Sequence, residues 1–419
     1  MALGNYYQAT TRVALETHPL QGDMNVDVAI IGGGITGVSA ALHLAERGYS
    51  VALLEAEHIG WGASGRNGGQ VLPGFGASQV KIKNLVGAAQ AKRLWDLSME
   101  AVDLLHGQVQ RFGIPCDPQL GYLHAAIKPR QVRELHEAQD EMAALGAPAG
   151  AILQGAELQA RLASPKYLAA LEDGISGHIH PLNYTLGLAK AAQAAGAKLY
   201  SQTKVEHVAP GKIVRIRTNR GMVSAAFVLT AAGAYLKDLV APIADYIMPV
   251  GTYIIATEPR ADVQTLIPRN EAVADLNFVL DYFRRSADDR MLFGGRVSYS
   301  TLPPASLPAA MLKRAQKVFP QLANARVEYC WGGNVDITQN RAPHFGRLAD
   351  NILFAQGFSG HGVALTGLAG KLAAEAIAGQ AERFDVFTQI PHARFPGGRA
   401  FKVPALLLAT SYFRLRDLL

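Results

Sequence analysis

The sequence predicts an α/β protein of two domains, one laid on a mixed sheet and the other an α+β domain around a large antiparallel sheet. Three observations carry this. A βαβ unit stands near the start, from Val26 to Glu55. Strand and helix patterns alternate again around 177–234 and 352–378. Between them, from Ile247 to Trp331, strand patterns follow one another closely with a single helix near Met311 to Phe319.

The βαβ unit opens with the apolar run Val26-Asp27-Val28-Ala29-Ile30-Ile31, which ends on Gly32-Gly33-Gly34-Ile35-Thr36-Gly37. A helical pattern through Ile35, Val38, Ala41, Leu42 and Ala45 stops at Gly48, and a second strand, Val51-Ala52-Leu53-Leu54, ends on Glu55. This is the dinucleotide fingerprint. Gly32 permits the tight turn, Gly34 lets the backbone approach a pyrophosphate, and Gly37 lets the helix pack on the strand. The first helical turn, with Ile35 and Thr36, presents unpaired N–H groups to phosphate. Glu55 lies about twenty residues further on, where a carboxylate accepts hydrogen bonds from ribose hydroxyls.

Composition narrows the class. The chain has 419 residues, 49% hydrophobic and 18% charged, which describes a folded globular protein. Its net charge of +6 comes from scattered basic residues with no long Lys/Arg run, so nucleic acid is not expected as a partner. Two cysteines, Cys116 and Cys330, make no disulfide framework or CxxC centre and fit a cytoplasmic setting. The first 25 residues read as an arm without a secretion signal, and no apolar run reaches membrane-spanning length. The tail Val403-Pro404-Ala405-Leu406-Leu407-Leu408-Ala409, with Tyr412, Arg414 and Arg416, is apolar and basic; packing on the body is the preferred reading over contact with a membrane surface.

The glycine-rich loop Gly60-Trp61-Gly62-Ala63-Ser64-Gly65-Arg66-Asn67-Gly68-Gly69-Gln70 directly follows the second strand. A cofactor longer than a nicotinamide dinucleotide can use its backbone N–H groups, with Arg66 as counter-charge. A hydrolase serine is discounted, because Gly62-Ala63-Ser64-Gly65 is followed by arginine where the nucleophile turn needs glycine. Helical patterns from Lys81 to Leu162 bracket a strand, Leu120 to Ile127, and read as an insertion outside the first sheet. His178 and His180, in Gly177-His178-Ile179-His180-Pro181-Leu182-Asn183, lack carboxylate or cysteine companions and are read as turn residues, so no metal is expected. Val228-Leu229-Thr230-Ala231-Ala232-Gly233-Ala234 reads as a buried parallel strand that returns to the first sheet beneath the cofactor.

The last glycine-rich turn is Gly357-Phe358-Ser359-Gly360-His361-Gly362, between the strand Ile352 to Gln356 and a helix from Val363 to Ala378. A helix N-terminus here suits a group that becomes negative during reaction, such as the N1–C2=O edge of a flavin.

Taken together, the fingerprint with Glu55, the 62–70 loop, Ala232-Gly233-Ala234, Trp331-Gly332-Gly333 and the 357–362 turn resemble the FAD-dependent amine and amino-acid oxidases, the group of D-amino-acid oxidase, glycine oxidase and sarcosine oxidase. Within it, Ser176 to Asn183, Leu280-Asp281-Tyr282-Phe283-Arg284, Phe395-Pro396-Gly397-Gly398-Arg399 and the ending from Tyr412 to Leu419 resemble the gamma-glutamylputrescine oxidoreductase branch. One departure stands out. Many members carry Thr-x-Asp-x-x-Pro where this chain has Thr338-Gln339-Asn340-Arg341-Ala342-Pro343, so an amino-acid specificity does not carry over. The resemblance implies a Rossmann-like FAD-binding domain formed by 26–80, 163–240 and 335–395, and a substrate domain formed by 81–162 and 241–334, with 1–25 as arm and 396–419 as tail.

It further implies a noncovalent FAD held by Gly32, Gly34, Ile35, Thr36, Gly37, Glu55, Ala63, Ser64, Arg66, Asn67, Gly68, Gly69, Gln70, Val205, Ala232, Gly233, Gly357, Ser359, Gly360, His361, Gly362 and Val363. The implied reaction is oxidation of a small-molecule amine at its C–N bond, imine hydrolysis to aldehyde and ammonia, and reoxidation by O2 to hydrogen peroxide. Such chemistry chiefly needs the neutral amine held with its α-carbon at the flavin, which an apolar wall favours by desolvation. Tyr253, Tyr282, Phe283 and Trp331 are the candidates for that wall, and His361 for the polar group near the ring. Arg296 is a candidate cation for oxygen. The alternatives are a secondary amino-acid oxidase, a dehydrogenase that passes electrons to a quinone, and a non-catalytic flavin-binding protein. Oligomeric state is not legible.

Overall fold

A computed structural model describes residues 3–148, 150–236, 239–298 and 306–395; the tail and the Pro396 to Arg399 part of its motif lie outside the described residues, as does the side chain of Arg296. The first sheet places His344–Ala349, Ile352–Gln356, Met222–Thr230, Met24–Ile31, Val51–Leu54 and Lys198–Tyr200 side by side. The five strands from Ile352–Gln356 to Lys198–Tyr200 run parallel, and His344–Ala349 closes one edge antiparallel. The return strand pairs in register with the first, Val28 with Phe227 through Ile31 with Thr230, as the apolar run from Val228 suggested.

Two layers flank this sheet. The helices Ile35–Ala45, Pro181–Ala194 and Leu365–Ile377 cover one face, and all eleven residues of the first are buried. A side chain at Gly370 would meet the carbonyl of Thr36 at 2.3 Å, so glycine there sets how closely two of these helices approach. On the other face the hairpin Val205–Ala209 and Val214–Thr218 packs Val205, Val214 and Ile216 against Ala29, Ile31 and Leu54.

The second sheet runs Val327–Ile337, Met248–Thr257, Met291–Ser298, Tyr282–Arg285, Ala272–Asp275, Gln119–Ala126, Ala169–His178 and Gln70–Val71. Its pairings are antiparallel except for one: Ala272–Asp275 runs parallel to Gln119–Ala126. Among these strands, Ala272–Asp275 carries no apolar run long enough to mark it in the sequence. The pairing of Val273 with Phe283 makes the segment between them a tight connection in which Asp275 N–H bonds to the carbonyl of Asp281.

Two other segments sit elsewhere than the sequence placed them. Helix Ala88–Phe112 buries Leu94, Ala101 and Leu105 in the core of the first sheet, although its stretch read as an insertion outside that sheet. Strand Ala169–His178, assigned to the cofactor domain, is hydrogen-bonded in the second sheet, between Gln119–Ala126 and Gln70–Val71. Periodicity reports that a segment is half-buried; it does not say against which sheet. Among the described residues no helix is long and apolar enough to cross a membrane.

Candidate active site

Parallel strands deliver their C-terminal ends to one edge, and here that edge gathers every glycine-rich turn that the sequence singled out. Met24–Ile31 leads to Gly32, Met222–Thr230 to Ala232 and Gly233, Val51–Leu54 to Glu55, and Ile352–Gln356 to Gly357. Gly32 has φ +114°, and a side chain on it would meet the carbonyl oxygen of Ala231 at 2.7 Å. One on Gly37 would meet the carbonyl oxygen of Gly32 at 2.0 Å, and one on Gly34 would meet Ser64 Oγ at 2.8 Å. Gly32 and Gly37, which face backbone, therefore require glycine for steric reasons independent of any ligand, whereas a side chain at Gly34 would displace the Ser64 hydroxyl.

The cradle fits a dinucleotide. Gly34 has no side chain to cap the helix, and Ser64 Oγ takes the N–H of Ile35 at 3.0 Å. The N–H groups of Thr36 and Gly37, in the same first turn, have no intrahelical acceptor and suit a pyrophosphate. Glu55 is held at its strand end by the N–H of Gly33 at 2.7 Å and of Glu57 at 2.9 Å. Burial pushes its carboxyl up against the pull of those bonds. Val205 keeps its side chain in the core beside Leu54.

The 60–70 loop is braced from within and without. Asn67 Nδ2 donates to the carbonyls of Ala63 and Ser64 at 2.9 and 3.0 Å, and its Oδ1 takes the N–H of Gly69 at 2.7 Å. Arg66 lies over the Trp61 ring at 5.0 Å, and its guanidinium donates to the carbonyls of Trp61 and Gly332, so it links the loop to the second sheet. Gln70 sends its side chain away, donating to the carbonyl of Val273 and accepting from Tyr122 Oη.

The 357–362 turn is held by a residue that sequence reading did not single out. Asp336 Oδ2 accepts the N–H of Gly357 at 2.6 Å, and its carbonyl takes the N–H of Ser359 at 2.9 Å. A side chain on Gly233 would sit 3.2 Å from the same carboxylate, so Asp336 stands between the 232–233 turn and the 357–362 turn. Burial pushes its carboxyl up to about 6 in spite of its backbone hydrogen bonds. Gly357, Ser359 and Gly360 all adopt positive φ, which explains a glycine-rich turn with one strained serine. Gly362 closes the turn against Phe358, and Val363 packs on the core beyond it. His361 Nε2 bonds to the carbonyl of Pro73 at 2.8 Å; burial lowers its pKa, with His124 and Arg341 nearby adding to the effect.

The four aromatic wall candidates do not share a wall. Strand alternation sends Tyr282 and Phe283 to opposite faces, and because Ile254 pairs with Trp331, Tyr253 opposes Trp331 as well. Tyr282 and Trp331 face the 60–70 loop: the Tyr282 ring would meet a side chain on Gly68 at 2.8 Å, and Trp331 Nε1 donates to the carbonyl of Arg66 at 3.1 Å. Tyr253 and Phe283 lie in the core on the far face, with Phe293 and the helix Leu307–Val318. The expectation for Tyr253 is corrected by this alternation. On the loop side the sheet instead brings Tyr122 and His124, ring centroids 4.7 Å apart, and His124 stands 3.6 Å from Asp173. The signal for them was the alternation along Leu120 to Ile127. His180 caps helix Pro181–Ala194, its Nδ1 accepting the N–H of Asn183, as a turn residue should. Among the described residues no three His, Cys, Asp or Glu side chains cluster to hold a metal.

A dinucleotide cradle at the edge of a parallel sheet, faced by a second sheet with an aromatic surface, is the architecture of an enzyme that works through a bound dinucleotide. The chain belongs to the FAD dependent oxidoreductase (DAO) family, which it matches over residues 27–376. It is 39% identical over 419 residues to the gamma-glutamylputrescine oxidoreductase of Escherichia coli (strain K12), covering 99% of this chain and 98% of that one. It is 38% identical to a probable oxidoreductase, OrdL, of Haemophilus influenzae, covering 99% and 97%. Its fold is similar to the crystal structure of glycine oxidase from Bacillus cereus ATCC 14579, with TM-score 0.74, 22% identity and coverage of 88% and 99%. The protein is thus an FAD-dependent oxidoreductase of the kind that acts on amines and amino acids, and the cradle above is suited to hold its FAD.

Proposed function

We propose that the enzyme oxidises the primary amine of γ-glutamylputrescine or a related polyamine conjugate, with O2 as electron acceptor. The observation that carries this reading is the 39% identity across 99% of the chain, which takes in the second sheet and not the dinucleotide unit alone. Bound in this cradle, FAD would supply the two-electron oxidation of the amine C–N bond, with O2 as the final acceptor and hydrogen peroxide as its product. The chain's residues do the rest. Gly34, Thr36, Gly37 and Glu55 are proposed to hold the adenosine diphosphate end, and the 60–70 loop with Asp336 and the 357–362 turn to fix the ring end. Tyr282, Trp331 and Tyr122 offer the amine a surface with little water, which favours its neutral form. His361, kept neutral by burial, orients without adding a charge that would repel an ammonium. The released imine is hydrolysed to aldehyde and ammonia.

We place this activity in the cytoplasm, a reading supported by the two free cysteines. The test is oxygen uptake by the purified yellow protein with γ-glutamylputrescine, putrescine and glycine. Uptake with stoichiometric peroxide and aldehyde from the first supports the proposal. Substrate turnover that needs a quinone and leaves oxygen untouched makes it a dehydrogenase, and turnover of glycine alone overturns the substrate.

A further inference from the structure

Three carbonyls of the cofactor loop accept hydrogen bonds from side chains brought in from three distant parts of the chain. Asn5 Nδ2 donates to Gly65 at 3.1 Å, Trp331 Nε1 to Arg66 at 3.1 Å, and Arg284 Nε to Gly68 at 2.8 Å. A trans peptide points its N–H opposite to its C=O. Anchoring the Arg66 carbonyl on Trp331 therefore turns the N–H of Asn67 to the other side of the loop.

Arg284 is the unusual member of the three. It is buried, and its partners among the described residues are neutral oxygens: the carbonyls of Gly68, Ile179 at 3.0 Å and Arg285 at 3.3 Å, and Tyr7 Oη at 3.1 Å. A guanidinium withdrawn from water is costly, and neutral acceptors recover less of that cost than a carboxylate does. Tyr282 lies two residues earlier on the same strand face, its ring against Gly68, so one strand grips this glycine twice. Asp281, on the other face, is tied to Lys166 at 2.8 Å and to Arg314, which fixes the strand from behind. Tyr7, which meets Arg284, is fully buried and sets its ring edge-on to Trp331 at 5.3 Å. The arm, the substrate sheet and the loop thus form one cluster.

We propose that Arg284 is a positioning residue for the cofactor loop, and that Asn5 and Tyr7 of the N-terminal arm complete the same clamp. FAD affinity then depends on a strand of the second sheet and on the arm, neither of which belongs to the dinucleotide unit. The test is a titration of the flavin-free full-length protein with FAD, following quenching of flavin fluorescence well below the unfolding temperature. Arg284→Lys and Asn5→Ala should each raise the Kd for FAD by roughly tenfold, equivalent to about 1.4 kcal/mol. The visible band of the bound flavin should shift toward that of free FAD in both. Asn5→Ala removes the donor to Gly65 and the Oδ1 that takes the N–H of Tyr7 at 2.9 Å, so it loosens the arm's half of the clamp and decides the matter alone if Arg284→Lys does not fold. An unchanged Kd and spectrum in the folded variants, or lower stability of the flavin-free protein with Kd unchanged, would overturn the proposal and leave the clamp a brace of the fold only.

Discussion

Asp336→Asn tests how the 357–362 turn is built. Asp336 is buried with its Oδ2 on the N–H of Gly357, and burial moves its carboxyl from the ordinary 3.8 to about 6. Between those values the folded protein holds a proton that the unfolded chain has released. Stability must therefore fall as pH rises from about 4 to about 6 and level off above, because the charged form is the disfavoured one. At about 1.4 kcal/mol per pKa unit, the full effect is roughly 3 kcal/mol. Asparagine keeps a carbonyl oxygen for Gly357 and has no charge to bury. Urea unfolding of the flavin-free protein and of the variant, in steps from pH 4 to 8, gives two profiles. The wild type should lose roughly 3 kcal/mol relative to the variant across that window, with a constant difference above it. Parallel profiles would refute the reasoning, since they would mean that Asp336 titrates alike folded and unfolded.

Gly37→Ala places a methyl where the carbonyl of Gly32 stands at 2.0 Å, so the helix must move off the strand and the phosphate cradle opens. The purified variant should carry less than about a tenth of the wild-type flavin, measured by absorbance; full flavin content would refute the cradle. His361→Ala removes the ring that bonds to Pro73 beside the turn, and should slow anaerobic flavin reduction by roughly tenfold or more while leaving flavin content near normal. An unchanged rate would remove His361 from the site.

The cofactor half of the site was legible because its constraints are local. Gly32 turns out of its strand at φ +114° and Gly37 meets the carbonyl of Gly32, both within one βαβ unit, and the parallel pairing of Val28 with Phe227 follows from two apolar runs. The substrate half was not, because its residues are assembled by pairing. Tyr253 and Tyr282 both read as aromatic strand residues, and only the pairing of Ile254 with Trp331 puts Tyr253 on the covered face. Strand Ala272–Asp275 is too short to announce itself, and its parallel pairing with Gln119–Ala126 breaks the meander expected there. Asp336 and Arg284 were hidden for a further reason. Each acts by hydrogen-bonding backbone atoms far away in the chain, which leaves no pattern around the residue itself.

The most direct test of the proposed activity is anaerobic mixing of the FAD-loaded enzyme with γ-glutamylputrescine, followed at the flavin's long-wavelength absorption band. The band should bleach rapidly and saturably with this amine, more slowly with free putrescine, and return on admitting air with one peroxide per flavin. A band that persists with every amine and amino acid tried would contradict the account.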